Sequence, residues 1–388
     1  MKNYIWVFIL LLSACQGGQK QVETGALKVS LRKISEQTNP FQYSHFTTLS
    51  VPEDIIVGDC KKLQLINETL YLLDEATATI FAFNNSGTYL WQLSKRGSGP
   101  DEYIRITDFE VNRQGIIHIL DDIQKKMLLY NCEGEFLSSW PTPDGCCFKL
   151  LEDGLVAYNL GNASSKSNEF YNYMVIKDAR EVVVKDIPFH KSLAGRQYVF
   201  PSGGYSFRLY DGELYATFIL DDTVYHINSN TGELTPYISF QFDTYRPSVN
   251  ESPNEIVNYF NNMARGKEAT SPFNFQKYKD EVSAMFLYDN KYFIVIGNDQ
   301  GEVHQYGTIG FNEYGLPFQP IAYLDSDGSG YIPTIINYHN LSLFNKLCSK
   351  NGLDPSVLNK ITKTVADKEN PTIVFYIAQQ SHLTTITM

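Results

Sequence analysis

Two stretches of this chain align without a gap at an offset of 47 residues, and that repeat narrows the fold more than any other feature. The first runs from Thr69-Leu-Tyr-Leu-Leu-Asp74 through Ile80-Phe-Ala-Phe83 to Gly87-Thr-Tyr-Leu90. The second runs from Ile116-Ile-His-Ile-Leu-Asp121 through Met127-Leu-Leu-Tyr130 to Gly134-Glu-Phe-Leu137. In each, an apolar strand ends at an aspartate, a second strand follows, a glycine turn comes next and a third strand begins. That is a β-meander, with a period close to that of a four-stranded propeller blade. Weaker echoes follow at Tyr171–Asp178 with Glu181–Val184, at Glu213–Asp221 with Thr223–Ile227, and at Ala284–Asp289, Tyr292–Ile296 and Val303–Tyr306. Short strands with turn signals every 8–12 residues indicate a sandwich, barrel or propeller. The long fixed repeat selects the propeller.

Two stretches break the rhythm, near 247–280 and 338–368. They predict helices at Asn254–Met263, at Leu341–Leu347 and after Asp354-Pro355, where the aspartate is placed as an N-cap and the proline at the first helical position. Both read as insertions on one face of the ring. With them set aside, six blades take about fifty residues each, whereas eight would be too short for four strands and their loops. The expected fold is all-β: a six-bladed propeller over 27–388, closed by pairing of the N- and C-terminal strands. The strands expected to pair are Leu27–Ile34 and Pro371–Ala378, which would remove exposed sheet edges. Composition agrees. Aromatic residues make up 14%, with 26 Tyr and 24 Phe, which favours strands. The formal charge of −11, with no basic stripe, argues against a nucleic-acid partner.

The N-terminus carries an address. Lys2 gives a positive start, Tyr4–Leu12 an apolar core, and Leu12-Ser13-Ala14-Cys15 closes it. A core this short cannot cross about 30 Å of hydrocarbon but suits a signal peptide. Small residues before Cys15 resemble the bacterial lipobox, whose cysteine is lipidated and becomes the new N-terminus. The expected organisation is a signal peptide over 1–14, a flexible lipidated tether over 15–26, and attachment to a membrane through the lipid alone. The other cysteines, Cys60, Cys132, Cys146, Cys147 and Cys348, are odd in number and lack C-x-x-C or metal-site spacing. Most of them read as small buried hydrophobes, with at most one disulfide among them.

One segment carries a family resemblance. Arg96-Gly-Ser-Gly-Pro-Asp-Glu-Tyr103, between the two aligned repeats, resembles the G-x-G-P-G-E-Y signature of six-bladed propeller lipoproteins of Bacteroides-like bacteria, with NHL- and TolB-like propellers as the wider group. Phe81-Ala-Phe-Asn, Asp108-Phe-Glu-Val111, Leu129-Tyr-Asn-Cys-Glu-Gly134, Asp222-Thr-Val-Tyr-His-Ile227 and Glu369-Asn-Pro-Thr-Ile-Val-Phe-Tyr376 agree in order. The resemblance implies a cell-envelope protein on an outer membrane. The acidic cluster that resembles a surface-export signal is missing after Cys15, which favours the periplasmic face. Asp101 stands where the signature has glycine, and aspartate tolerates a positive φ if the position needs one. Gly97, Gly99, Pro100, Glu102 and Tyr103 read as structural: the glycines and proline shape tight turns, and Glu102 and Tyr103 tie the loop down. The segment lacks the Lys-Ser/Thr of a phosphate loop.

Nothing in the sequence demands catalysis, and no catalytic residue, metal ligand or cofactor is assigned. Asp325-Ser-Asp-Gly-Ser-Gly330 looks like the start of a calcium loop, but Ile336 stands where a bidentate Glu is needed. The histidines are scattered, and His118 and His226 fall in strands as packing residues. Asp74, Asp121 and Asp221 recur at the end of the same strand in successive repeats. They admit two readings: carboxylates converging on the central channel, where calcium or another divalent cation could be held, or acceptors for their own turns. Three functional classes follow. The first is a non-catalytic propeller binding a glycan, peptide or envelope protein. The second is a metal-dependent enzyme of lactonase or carbohydrate-lyase type at the channel. The third is a structural accessory.

Overall fold

The computed structural model describes residues 25–31, 41–58, 60–161, 171–188, 206–247, 251–289, 291–309, 331–336, 341–342, 345, 355–368 and 371–378. Cys15, the Asp325 loop, Cys348 and the Asp354 cap lie outside them. Two strands, β1 (Gly25–Val29) and β2 (Phe41–Thr48), precede the blades. Blade 1 is β3 (Cys60–Ile66), β4 (Thr69–Asp74), β5 (Thr79–Asn84) and β6 (Tyr89–Leu93). Blade 2 is β7 (Asp108–Val111), β8 (Ile117–Asp121), β9 (Lys126–Tyr130) and β10 (Phe136–Pro141). Blade 3 is β11 (Cys147–Leu150), β12 (Leu155–Asn159), β13 (Tyr171–Lys177) and β14 (Glu181–Pro188). Blade 4 is β15 (Phe207–Tyr210), β16 (Glu213–Thr217), β17 (Thr223–Ile227) and β18 (Leu234–Phe242).

A helix, α1 (Pro253–Ala264), separates blades 4 and 5. Blade 5 is β19 (Phe273–Tyr278), β20 (Glu281–Tyr288), β21 (Lys291–Asn298) and β22 (Val303–Ile309). Blade 6 holds β23 (Tyr331–Ile336), then α2 (Pro355–Lys368), then β24 (Thr372–Ala378), in the sheet order β2-β24-β23. Blades 1 to 5 are meanders paired in chain order, and β1 adds a fifth strand to blade 4.

The strands follow the period-2 rule: alternate side chains face neighbouring blades and fill the seams between them. Between blades 1 and 2, Leu73, Ile80 and Ala82 pack against Phe109, Ile117, Ile119 and Leu128, all fully buried. Each such aliphatic or aromatic side chain contributes about 1.5–3 kcal/mol by leaving water.

Closure joins the two ends of the chain, but through a different N-terminal strand from the one expected. β2 pairs antiparallel with β24, Phe46 opposite Val374 and Thr48 opposite Thr372. The segment at Leu27 runs parallel to β18 instead, Leu27 opposite Phe240 and Val29 opposite Phe242. Leu27 and Val29 are buried in the cluster shared by blades 4 and 5, a seam that pattern alone could not distinguish from blade 6. β1 begins at Gly25, two residues inside the segment read as tether.

Strand parity gives the ring two different faces. Links from a fourth strand to the next blade, and turns from a second strand to a third, share one end of the blades; we call this the crossover face. The remaining turns form the hairpin face. α1 lies in the crossover between β18 and β19, whereas α2 links the first and second strands of blade 6. The two helices therefore sit on opposite faces, which corrects the expectation that both decorate one. The first insertion is also shorter than 247–280, because β19 is already the inner strand of blade 5. Its Phe-Asn-Phe-Gln alternation carries the strand signal. Ser252 caps α1 with a capping box: its side chain accepts from Glu255 N while Glu255 accepts from Ser252 N.

Candidate ligand-binding site

The three repeated aspartates stand on the crossover face, each at the end of a second strand or in the turn beyond it. Asp74 Oδ1 accepts from Ala76 N at 3.0 Å, and its Oδ2 accepts from Gly58 N at 2.9 Å in the incoming crossover. Asp121 repeats the device, accepting from Ile123 N at 2.9 Å and from Ile104 N at 2.7 Å in its own crossover. Asp221 accepts from Thr223 N at 2.9 Å and from the Tyr225 hydroxyl at 2.8 Å. Burial pushes its carboxyl above the ordinary range. The carboxylates are engaged one by one in separate blades. Among the described residues no group of three or more His, Cys, Asp or Glu side chains is placed to hold a metal ion.

The Gly97–Tyr103 segment forms the crossover from blade 1 to blade 2. Gly97 N donates to Tyr103 O and Tyr103 N to Lys95 O. Glu102 turns back to accept from Gly99 N at 2.8 Å. Its carboxylate occupies the space a Cβ on Gly97 would need, so a side chain at 97 would have to push that carboxylate aside. The fully buried Tyr103 hydroxyl sits 3.0 Å from Ala78 O and 3.2 Å from Leu93 O, and accepts from Lys95 N. Burial pushes its pKa up to about 12. Asp101 is not among the positive-φ residues, so the aspartate is accommodated without strain; its carbonyl accepts from the Tyr130 hydroxyl at 2.8 Å.

Polar side chains on the first strands join neighbouring inner edges. Gln64 Nε2 donates to Val111 O and its Oε1 accepts from Val111 N, standing in for a strand ladder. Lys62 pairs with Asp108 at 2.7 Å, and Asp108 accepts from Phe148 N of the next blade. Lys149 pairs with Glu110 at 2.5 Å, and Glu110 accepts from Leu150 N. Arg208 and Tyr210 donate to Phe275 O. Sequence reasoning passed over this set. Its signal is the polar–apolar alternation of Lys62-Leu-Gln64 and Asp108-Phe-Glu110, 46 residues apart, with the same alternation at Asn274-Phe-Gln276.

A small cleft of about 30 Å³ opens on the crossover face between α1 and the β16–β17 turn. Phe218, Tyr259, Phe260, Phe273 and Met263 supply most of its wall, and Thr270 and Ser271 its hydroxyls. Leu220, also in the wall, is held at φ 60°. A bulky side chain in the left-handed region costs roughly 1–2 kcal/mol. Arg246 braces the base: it ion-pairs with Asp222 at 2.8 Å, donates to the Tyr259 hydroxyl at 2.9 Å and covers the Phe242 ring at 3.9 Å. Burial raises Asp222 to about 6, with Arg246 pulling the other way. The cleft could not be read from sequence, because the β16–β17 turn and α1 that wall it lie some forty residues apart in the chain.

The arrangement has relatives. The model of the domain of unknown function DUF4934 matches residues 46–377. The chain belongs to the DUF4934 family. Two solved structures resemble this DUF4934 propeller. A Bacteroides fragilis protein named as an exported protein is 20% identical, with a TM-score of 0.67, covering 92% of this chain and 99% of that one. A Bacteroides vulgatus member of the DUF4221 family is 13% identical, with a TM-score of 0.51, covering 87% and 97% respectively. Both show the fold alone. A comparison with curated proteins finds no match.

The remaining sequence candidates in this DUF4934 chain fall to scaffold roles. His118 lies buried in β8, its Nδ1 3.2 Å from Ile116 O and its ring against Trp140; burial lowers its pKa to about 4. Cys60, Cys132, Cys146 and Cys147 stand as thiols with no disulfide among them: Cys60 and Cys147 are buried, Cys146 is partly so and Cys132 is exposed, and a hydrogen bond with Cys146, together with burial, holds Cys147 well above the usual thiol range. No helix among the described residues is long and apolar enough to cross a membrane.

Proposed function

We propose that this chain is an exported, lipid-anchored binding propeller, held at the cell envelope through Cys15, whose crossover-face cleft takes an apolar group of a peptide or protein partner. The cleft carries the reading: four aromatic rings and a methionine line it against two hydroxyls. Apolar surface entering it is stabilised by about 25 cal/mol per Å². A sugar would ask for more polar partners than Thr270 and Ser271. Export and anchoring are supported by the lipobox-like N-terminus and by the exported Bacteroides fragilis relative.

The test is a binding screen of the full-length chain against peptide and glycan panels, repeated with Phe260→Asp. Peptides with an exposed apolar residue are expected to bind wild type, with binding lost in the variant while the folded fraction is unchanged. Binding confined to glycans, or binding indifferent to Phe260→Asp, would overturn the assignment.

A further inference from the structure

The direction of β1 decides which face of the ring looks at the membrane. At its first residue, Gly25 stands against the turn between β21 and β22: a Cβ there would lie 2.5 Å from Asp299 O. That turn belongs to the hairpin face, since Asp299 N donates to Asp280 O in the turn between β19 and β20. The strand then runs parallel to β18 toward the crossover face. It is fastened there by Asp243, which accepts from the Ser30 hydroxyl at 2.7 Å and from Leu31 N at 3.0 Å. The chain before Gly25 therefore leaves the ring on the hairpin side.

We infer that the hairpin face is apposed to the lipid surface and that the crossover face, with its cleft, points away from it. The inference rests on the lipid anchor at Cys15 proposed above. Nine residues lie between Cys15 and Gly25, a span of ten Cα–Cα steps. A chain of that length spans about 17 Å as a coil and about 35 Å at full extension. A seven-residue inner strand alone rises about 23 Å. To bring the crossover face to the bilayer, the tether would have to climb the height of the ring, stretched beyond its coil length to about two-thirds of full extension. Exposed apolar side chains do not separate the faces: Ile56, Ile104, Ile123 and Tyr245 lie on or beside the crossover face, and Leu90, Leu137, Val182 and Val183 near the hairpin ends of outer strands. The orientation rests on the direction of β1 and the reach of the tether.

Energy transfer from single dyes to acceptor lipids tests this in phosphatidylcholine vesicles carrying the full-length lipidated protein. Cys132 is an exposed thiol in the β9–β10 turn of the hairpin face and serves as one dye site. Ile123→Cys in a Cys132→Ser background supplies the other, on the crossover face. The unsubstituted Cys132→Ser chain corrects for labelling elsewhere. Transfer is expected to be higher from Cys132. Equal transfer, or higher transfer from position 123, would overturn the orientation while leaving the anchor standing. Failure of the wild-type chain to associate with vesicles, with Cys15→Ser behaving identically, would instead remove the anchor itself.

Discussion

The Glu102 carboxylate and the bare Cα of Gly97 share one small space in the crossover between blades 1 and 2. A methyl group at Gly97 must displace that carboxylate and break its bond to Gly99 N. A hydrogen bond to a charged group contributes about 1.5–3 kcal/mol, which is the upper bound on what Gly97→Ala should lose in urea unfolding, because the Glu102 side chain can swing aside. Made in a Glu102→Ala background, the same substitution should cost almost nothing further; full additivity would contradict the contact. His118 sets a pH dependence. Its folded pKa of about 4 lies below the ordinary 6.5, so the stability it contributes is present above pH 6.5 and is lost as pH falls through about 4. Asp222, raised from 3.8 to about 6, works in the opposite sense: its contribution is present below pH 3.8 and lost as pH rises through about 6. Urea midpoints for His118→Gln should therefore fall less than wild type between pH 6.5 and 4, and a parallel decline would refute the assignment.

At the scale of the element, the blades are joined by side chains doing the work of strand ladders. An inner strand has an open edge, and buried backbone groups left unpaired there are costly. Glu110 and Lys149 meet this need together, both nearly inaccessible to water. Lys149→Met leaves a buried carboxylate uncompensated and should cost about 3–5 kcal/mol. Adding Glu110→Gln removes the charge but keeps an acceptor for Leu150 N, so the double variant should recover most of that loss. If it is less stable than Lys149→Met alone, the pair is not what joins this seam. The hairpin turns were legible in outline. Gly87 and Gly134 take φ of 86° and 77°, and the asparagine three residues before each accepts backbone bonds within its own turn. The glycines were visible as turn signals; the preceding Asn84 and Asn131 carry the same message.

For the whole molecule, two N-terminal strands have separate duties. β2 closes the ring on β24, while β1 fills the outer seam between blades 4 and 5. A chain beginning at residue 32 should lose stability yet keep the elution position of the full chain, because the ring is still closed. A chain beginning at Leu49 exposes the edge of β24 and should aggregate. Size-exclusion chromatography distinguishes them, and a monomeric, cooperatively folded second truncation would contradict closure by β2.

Local pattern determined the strands, the turn glycines, the helix at Asn254–Met263 and the repeat that makes this an all-β propeller, because each depends on residues a few positions apart. It also placed Asp74, Asp121 and Asp221 at equivalent sites and left their role open. Tertiary structure decided the rest: which N-terminal strand meets the C-terminus, that the two helices sit on opposite faces, and that those aspartates secure turns and crossovers. It also built the cleft of Phe218, Tyr259 and Phe260 from segments some forty residues apart. The physical reason is that seams and clefts form between elements distant in the chain. Their partners are chosen by packing and by the direction of each strand, and neither leaves a period in the sequence.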